Sequence, residues 1–401
     1  MFANRVLSGM RPTGSLHLGH YHGVIANWIR LQHEQECFFM VADWHALTTS
    51  YDDVSIVGKS TWDMVIDWLA AGVDPEKATI FIQSRVPQHA ELHLALSMMT
   101  PLGWLERVPT YKDQMDKLSH KDLTTYGFLG YPLLQAADIL IYRAGQVPVG
   151  EDQIPHIELT REVARRFNHL YGREPGFEDK ARDAIRKMGK AGKDYDRLRT
   201  RYLQEGDAEA LEAARALLAA SQNLGGADRE RLTGFLENKG KTILPEPEAK
   251  LTAASKMPGL DGAKMSKSYG NTIFLREEPE AVSKKIRAMP TDPARVRRTD
   301  AGDPEKCPVW QLHQVYSCDT TREWVKTGCK SAGIGCLECK QPVIEGVLAE
   351  QQPMFERARR YVDNPALVRE ILEEGNTRAR KVAEETMDDV REAMGLGYGG
   401  L

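Results

Sequence analysis

The sequence predicts an α/β fold, a doubly wound parallel sheet with a helical insertion and a C-terminal helical domain. Three observations point there. Short apolar runs alternate with helical periodicity through the first 171 residues, the pattern of parallel strands joined by crossover helices. The stretch 172–243 then carries no β-branched run and turns rich in Lys, Arg, Glu and Ala. Beyond Pro279 helical periodicity returns without further strands.

The elements follow in order. Arg5 to Met10 is a short apolar run that stops at Arg11-Pro12-Thr13-Gly14, a loop signature. Helical periodicity extends from Tyr21 to Glu36, and Cys37 to Ala42 reads as a buried strand. Asp53 is placed to cap a helix that runs to Gly72. Thr79 to Gln83 is the next strand and His89 to Met99 the next helix. Leu133 to Ala144 and Pro155 to Tyr171 read as helices, with Val147-Pro148-Val149 extended between them. In the insertion Asp207 caps a Leu/Ala helix through Ala220, and Pro245 and Pro247 close the segment. Asn364 is a cap, Pro365 a first helical residue, Gly375 a stop, and Asn376 to Met394 a last amphipathic helix. The chain thus divides into 1–171 (first part of the sheet domain), 172–243 (insertion), 244–278 (return to the sheet domain) and 279–401 (helical).

The 401 residues include 53 Lys plus Arg and 57 Asp plus Glu, a net charge of −4. That balance excludes a protein that coats nucleic acid by bulk charge, so any such contact must use local patches. A hydrophobic fraction of 42% excludes wholesale disorder, and no apolar run approaches the ~18 residues of a membrane span. Met1-Phe2-Ala3-Asn4-Arg5 lacks the apolar stretch of an export signal, which points to the cytoplasm.

Five of the six cysteines, Cys307, Cys318, Cys329, Cys336 and Cys339, crowd into one segment. Without an export signal, such crowding favours metal ligation over disulfides. Cys336 and Cys339 have the C-x2-C spacing that brings two thiolates to one metal. Cys329 precedes them in a Gly-spaced stretch, and Cys307 competes with Cys318 for the fourth position. Zinc and an iron–sulfur cluster both take four thiolates, and spacing does not separate them. Cys37, beside Phe38 and Phe39, reads as a core residue.

Two loops have the chemistry of phosphate handling. Pro12 to His20 joins the first strand to the first helix, where a sheet's carboxyl edge and a helix N-terminus create an anion site. Gly14 and Gly19 admit close backbone approach, and His17 and His20 fall on one face as hydrogen-bond donors. The second loop is Lys264-Met265-Ser266-Lys267-Ser268, bracketed by Gly259, Gly262 and Gly270. Its two lysines suit a pyrophosphate whose charge grows as the α-phosphorus is attacked.

His17-Leu18-Gly19-His20 resembles the HIGH signature of class I aminoacyl-tRNA synthetases, with Leu18 for the usual Ile, and Lys264 to Ser268 matches their KMSKS signature. Val41 to Thr48, Tyr131 to Leu140 and Val147 to Gln153 resemble the tryptophanyl-tRNA synthetase family. Apart from 172–243, the resemblance covers nearly the whole chain. It implies a Rossmann-like catalytic domain and a two-step reaction. The carboxylate of L-tryptophan attacks ATP, releasing pyrophosphate, and the terminal ribose of tRNA(Trp) then takes the acyl group, releasing AMP.

The resemblance also implies roles. Asp138 would accept the indole N–H, an arrangement that phenylalanine leaves unpaired. Tyr131, His45 and Gln153 match positions around the amino acid. Gly150 and Asp152 match the segment that holds the ATP ribose, and Arg11 lies where relatives contact ATP. Catalysis would come from His17, His20, Lys264, Lys267 and Ser268, with Mg²⁺ held chiefly by the triphosphate. Gly19, Met265 and Ser266 would complete the nucleotide site. Cys329, Cys336 and Cys339 match the C-x6-C-x2-C core of the type that carries a 4Fe-4S cluster, with Cys307 as leading ligand and Cys318 without a counterpart. Arg295, Arg297 and Arg298 would suit tRNA phosphates, and a homodimer is implied. The competing readings are a tyrosyl-tRNA synthetase, an H-x-G-H nucleotidyltransferase and a non-enzymatic paralogue that binds nucleic acid or senses redox state. Asp138 with Gly150 to Gln153 speaks against the first, the Lys264 to Ser268 loop against the second, and intact signatures against the third.

Overall fold

The computed structural model describes residues 4–109, 124–172, 176–237, 242–251 and 257–398. Among the described residues five strands form one parallel sheet: β1 (Arg5–Met10), β2 (Glu36–Val41), β3 (Ala78–Ile82), β4 (Gln146–Val149) and β5 (Glu248–Leu251), in the order β3-β2-β1-β4-β5. The order reverses between β1 and β4. In such sheets ligands bind at this switch point, outside the strands' carboxyl ends. Here the loops leaving it begin at Arg11 and Gly150.

Both faces of the sheet are covered. Cys37, Phe39 and Val41 of β2 enter the core on one side, while Phe38 and Met40 enter the core on the other. A strand buried on both faces reads as a continuous apolar run, which is why 37–41 was legible. The first crossover begins with α1 (Leu18–His20), passes through a π-helical turn at Tyr21–Ile25 and ends with α2 (Ala26–Leu31). It therefore stops short of Glu36, which already belongs to β2. Trp28 of α2 stacks on Phe39 with ring centroids 4.3 Å apart.

Helices α3 (Asp43–Ser50) and α4 (Ser55–Ala71) follow β2. Asp53 lies just before the observed cap, yet its Oδ1 accepts from the backbone N of Ser55 at 3.0 Å. The opposite face carries α5 (Gln88–Ser97), α6 (Leu102–Glu106), α7 (Tyr126–Ile141) and α8 (Ile154–Tyr171). Beyond them four helices, α9 (Phe177–Lys187), α10 (Lys190–Glu205), α11 (Ala208–Ala220) and α12 (Gly226–Leu236), pack around their own apolar cluster, which includes Tyr195, Leu218 and Leu232. Asp207 caps α11 by accepting from Ala210 N at 3.0 Å.

The C-terminal helices are α13 (Pro279–Ala288), α14 (Pro308–Tyr316), α15 (Asp319–Lys330), α16 (Cys336–Val362) and α17 (Pro365–Ala393). Val343, Ile344 and Val347 of α16 enter one core of the sheet, and Ala379, Ala383 and Met387 of α17 enter the other. Arg357 of α16 donates to Ala70 O at 2.6 Å and Ala71 O at 3.2 Å, satisfying carbonyls at the end of α4. Gly375 does not stop a helix, because α17 runs straight through it. A Cβ there would lie 1.8 Å from Ile80 O, so the glycine lets the helix backbone press against β3. Next to it Asn376 Oδ1 accepts from Ile82 N at 3.0 Å and occupies a donor of this edge strand. Among the described residues no helix is long and apolar enough to cross a membrane.

Candidate active site

A cavity of about 370 Å³ opens at the switch point, and Arg11, His45, Tyr131, Asp138, Gly150 and Gln153 are among the residues that line it. Asp138 of α7 is only 1% exposed. His45 Nε2 stands 2.8 Å from its Oδ2 and His89 Nδ1 2.7 Å from its Oδ1, and Gln83 Nε2 donates to both oxygens at 3.0 and 2.8 Å. Burial alone would raise this carboxyl, but the hydrogen bonds from His45 and His89 outweigh it and hold Asp138 well below the usual carboxylate range. The cavity therefore presents an ionised acceptor.

A second chain of contacts orients Tyr131. Gln153 Nε2 donates to Asp152 Oδ2 at 3.1 Å, which turns Gln153 Oε1 toward His156 Nδ1 at 2.8 Å. His156 thus carries its proton on Nδ1, and its Nε2 accepts from the Tyr131 hydroxyl at 3.3 Å. With its proton committed to His156, Tyr131 presents oxygen lone pairs to the cavity. Burial lowers His156 to about 4, which keeps it neutral. No local sequence pattern marks His156, Gln83 or His89; His156 lines the cavity itself, while Gln83 and His89 act on Asp138 from behind it.

The two phosphate loops lie side by side. Leu18 N donates to Ile273 O and Leu275 N to Leu16 O, each at 3.0 Å, so the segment after the lysine loop pairs with the histidine loop. Met265 is buried beneath Gly19, where a Cβ would also meet the His17 ring at 2.9 Å. Lys267 Nζ reaches across and donates to Thr13 O at 3.1 Å. Asn271 shapes the lysine loop: its Oδ1 accepts from Ser266 N at 2.8 Å, and its Nδ2 donates to Lys264 O at 3.2 Å. Lys264 and Ser268 stand exposed on the loop's surface.

Asp67 of α4 joins both loops. Its Oδ2 accepts from Leu16 N at 3.1 Å and its Oδ1 from Arg276 Nε at 2.5 Å. The one sequence signal for it was a lone acid inside the apolar run Met64-Val65-Ile66-Asp67-Trp68-Leu69.

His17 and His20 are not equivalent. His17 N donates to His20 Nδ1 at 3.2 Å, so His20 keeps only Nε2 for a ligand. Burial lowers His17 to about 4 and His20 to about 3, and Lys267 adds to both shifts. Both rings are neutral near pH 7 and can give hydrogen bonds to phosphate. Positive charge must come from the lysines and Arg11.

The four expected metal ligands converge in part. Cys307 precedes α14, Cys329 lies in the last turn of α15, and Cys336 and Cys339 begin α16. All are free thiols. Burial pushes Cys339 up to about 12, and Cys307, Cys329 and Cys336 add to the shift, which places them within electrostatic reach. Among the described residues, however, no group of three or more His, Cys, Asp or Glu side chains is arranged to hold a metal ion. Cys318 is exposed and bonds to Thr321 Oγ1 at 3.3 Å. Arg295 does not serve as a phosphate contact. It is buried, with Nη1 3.7 Å from Cys329 Sγ and Nη2 on the carbonyls of Ile334 and Arg298. Arg297 and Arg298 are exposed, and Arg298 pairs with Glu338 at 3.3 Å.

The buried neutral histidines set an acid limit. Below about pH 6.5 the unfolded chain takes up protons that His17, His20 and His156 refuse until about pH 4 or below, so stability falls as pH drops through that window. The thermal midpoint near pH 5 should lie below that near pH 7, whereas equal midpoints would contradict the neutral assignment.

The chain as a whole has clear relatives. The family model for tRNA synthetases class I (W and Y) matches residues 3–193 and 202–349. A tryptophan–tRNA ligase of Ralstonia nicotianae is 71% identical over 399 residues, covering 99% of this chain and 100% of that one. A tryptophan–tRNA ligase of Thermotoga maritima is 45% identical over 396 residues, 98% and 100% of the two chains. The solved tryptophanyl-tRNA synthetase of Campylobacter jejuni, complexed with ADP and tryptophan, superposes with a TM-score of 0.74 at 28% identity, covering 98% of this chain and 100% of that one. This chain belongs to the class I tRNA synthetases and, within them, to the tryptophan–tRNA ligases.

Proposed function

We propose that the chain activates L-tryptophan with ATP and passes it to tRNA(Trp). A carboxylate oxygen of tryptophan bonds to the α-phosphorus and pyrophosphate leaves. The terminal ribose hydroxyl of the tRNA then attacks the acyl carbon and AMP leaves. One observation carries this reading: an ionised Asp138, held by His45, His89 and Gln83, lines a cavity that also takes in Arg11, directly before the histidine loop, and that loop is bonded to the segment after the lysine loop.

Each residue has a task. Asp138 accepts the indole N–H, and His45 shapes that end of the site. Tyr131 and Gln153 hold the amino acid's polar end. Arg11, Gly19, Gly150, Asp152, Met265 and Ser266 seat the nucleotide. His17 and His20 donate neutral N–H groups to phosphate, while Lys264, Lys267 and Ser268 stabilise the departing pyrophosphate together with Mg²⁺ carried by the triphosphate. No protein nucleophile is required, and catalysis rests on positioning and charge.

Three broader assignments accompany this reading. Residues 1–171 and 244–278 form the catalytic unit, 172–243 an insertion, and 279–401 the part that reads the anticodon. A second copy of the chain covers exposed Leu94, Met98, Leu102 and Tyr126, which lie on, or in the case of Met98 directly after, the adjoining helices α5, α6 and α7. Cys307, Cys329, Cys336 and Cys339 hold a 4Fe-4S cluster, with zinc as the alternative. Four free thiols, three of which reach Cys339 electrostatically, are the donor type that either group takes. Such a group would order the surface around α14 to α16.

Tryptophan-dependent pyrophosphate exchange tests the function. Asp138→Ala should raise the KM for tryptophan about a hundredfold, and Lys267→Ala should lower kcat about a hundredfold with that KM little changed. Exchange supported by tyrosine, or both variants within roughly twofold of wild type, would overturn the reading. For the cysteines, anaerobically purified protein should show a broad visible absorption band that Cys336→Ser and Cys339→Ser abolish. A colourless protein carrying zinc would select the alternative, and protein with neither metal would remove both.

A further inference from the structure

His89 is fully buried, titratable and absent from the cavity's lining, so the reaction as described makes no direct use of it. We infer that His89, backed by Tyr142, is a positioning residue that fixes Asp138 toward the indole N–H and so sets discrimination against isosteres that lack it. The inference rests on the role given to Asp138 above.

Both nitrogens of His89 are engaged, Nδ1 at 2.7 Å from Asp138 Oδ1 and Nε2 at 2.7 Å from the Tyr142 hydroxyl. Tyr142 is also fully buried. The ionised Asp138 takes its hydrogen bond from Nδ1–H, which leaves Nε2 to accept from the Tyr142 hydroxyl, whose proton burial holds on. The ring cannot easily turn away. Phe81 lies 6.0 Å and Tyr142 5.3 Å from it between centroids, and Tyr142 in turn stacks on Phe38 at 4.7 Å. An aromatic wall built on β2 and β3 therefore clamps the tautomer and the rotamer together.

The two carboxylate oxygens divide the work. Oδ1 takes His89, Oδ2 takes His45, and Gln83 Nε2 bridges both. His45 is the member of this set that lines the cavity, and its side chain is 12% exposed. His89 instead grips the carboxylate from the buried side. A carboxylate free to rotate would swing its lone pairs to suit any ligand. One fixed from behind keeps its direction, so a ligand without the N–H leaves it unpaired in a dry site. His93, on the same helix as His89, also senses the Asp138 charge, although burial lowers its own pKa.

The test compares kcat/KM for tryptophan with that for the benzothienyl analogue, in which sulfur replaces the N–H. It uses the full chain as wild type, His89→Leu, His89→Asn, Tyr142→Phe and Asp138→Ala. His89→Leu should cut the wild-type preference about tenfold or more, mainly through the KM for tryptophan. His89→Asn, which keeps an N–H near Nδ1, should restore most of it, and Tyr142→Phe should fall between them. A folded His89→Leu with the wild-type preference, or His89→Asn as damaging as Leu, overturns the inference. Should His89→Leu fail to fold, an unaltered preference in Tyr142→Phe overturns it equally. If wild type shows no preference and Asp138→Ala changes nothing, the Asp138 assignment itself has failed, a result distinct from a failure confined to His89.

Discussion

One buried carboxylate, Asp67, holds the nucleotide half of the site together. It accepts from the backbone of the histidine loop through Leu16 N and from Arg276, which follows the lysine loop. These partners are distant in sequence, Asp67 and Arg276 standing 209 positions apart. Burial raises the Asp67 carboxyl, while the charge and hydrogen bond of Arg276 and the Leu16 N–H oppose that shift. A buried ion pair adds little net stability over apolar residues, but losing one partner strands a charge at a cost on the order of 3–5 kcal/mol. The two loops are thus registered by a pair that neither can abandon. The backbone bridge through Leu18 and Ile273, and Lys267 resting on Thr13, follow from that register.

The same region is wired to the C-terminal helices. Gln351 of α16 donates to Phe274 O at 2.7 Å, within the segment that pairs with the histidine loop. Arg357, farther along α16, closes the end of α4, the helix that carries Asp67. A shift of α16 would therefore reach both ends of the Asp67 linkage. His22, directly after the π turn begins, meets Glu350 of α16 at 3.1 Å and adds a third connection. The amino-acid half of the site depends instead on α5 and α7, which hold His89 and Asp138. The switch point between β1 and β4 is where the two halves meet.

Much of this was legible because it is spelled locally. Strands β1 to β4 are short apolar runs, the histidine and lysine loops are contiguous signatures, and Asp138 sits in a recognisable segment. The unread parts are pairings across the chain. Asp67 looks like a polar slip in an apolar helix until Arg276 is placed beside it. His89 looks like a surface residue opening a helix until Tyr142 and Asp138 close around it. Gly375 carries the signal of a helix end, but its purpose is close contact with Ile80, which no local pattern records. Arg295 sits in a basic Arg-Val-Arg-Arg stretch that reads as solvent-facing, and it folds inward onto carbonyls and a thiol. Cysteine spacing announced a cluster of thiols and not the distances between them.

The ATP kinetics of Asp67→Ala, measured by tryptophan-dependent pyrophosphate exchange on protein that a thermal melt shows to be folded, bear most directly on this account. The linkage predicts a fall of at least about tenfold in kcat/KM for ATP, with the KM for tryptophan unchanged, because only the nucleotide loops lose their register. ATP kinetics within roughly twofold of wild type would show that the two loops find each other without the buried carboxylate, and would contradict the claim.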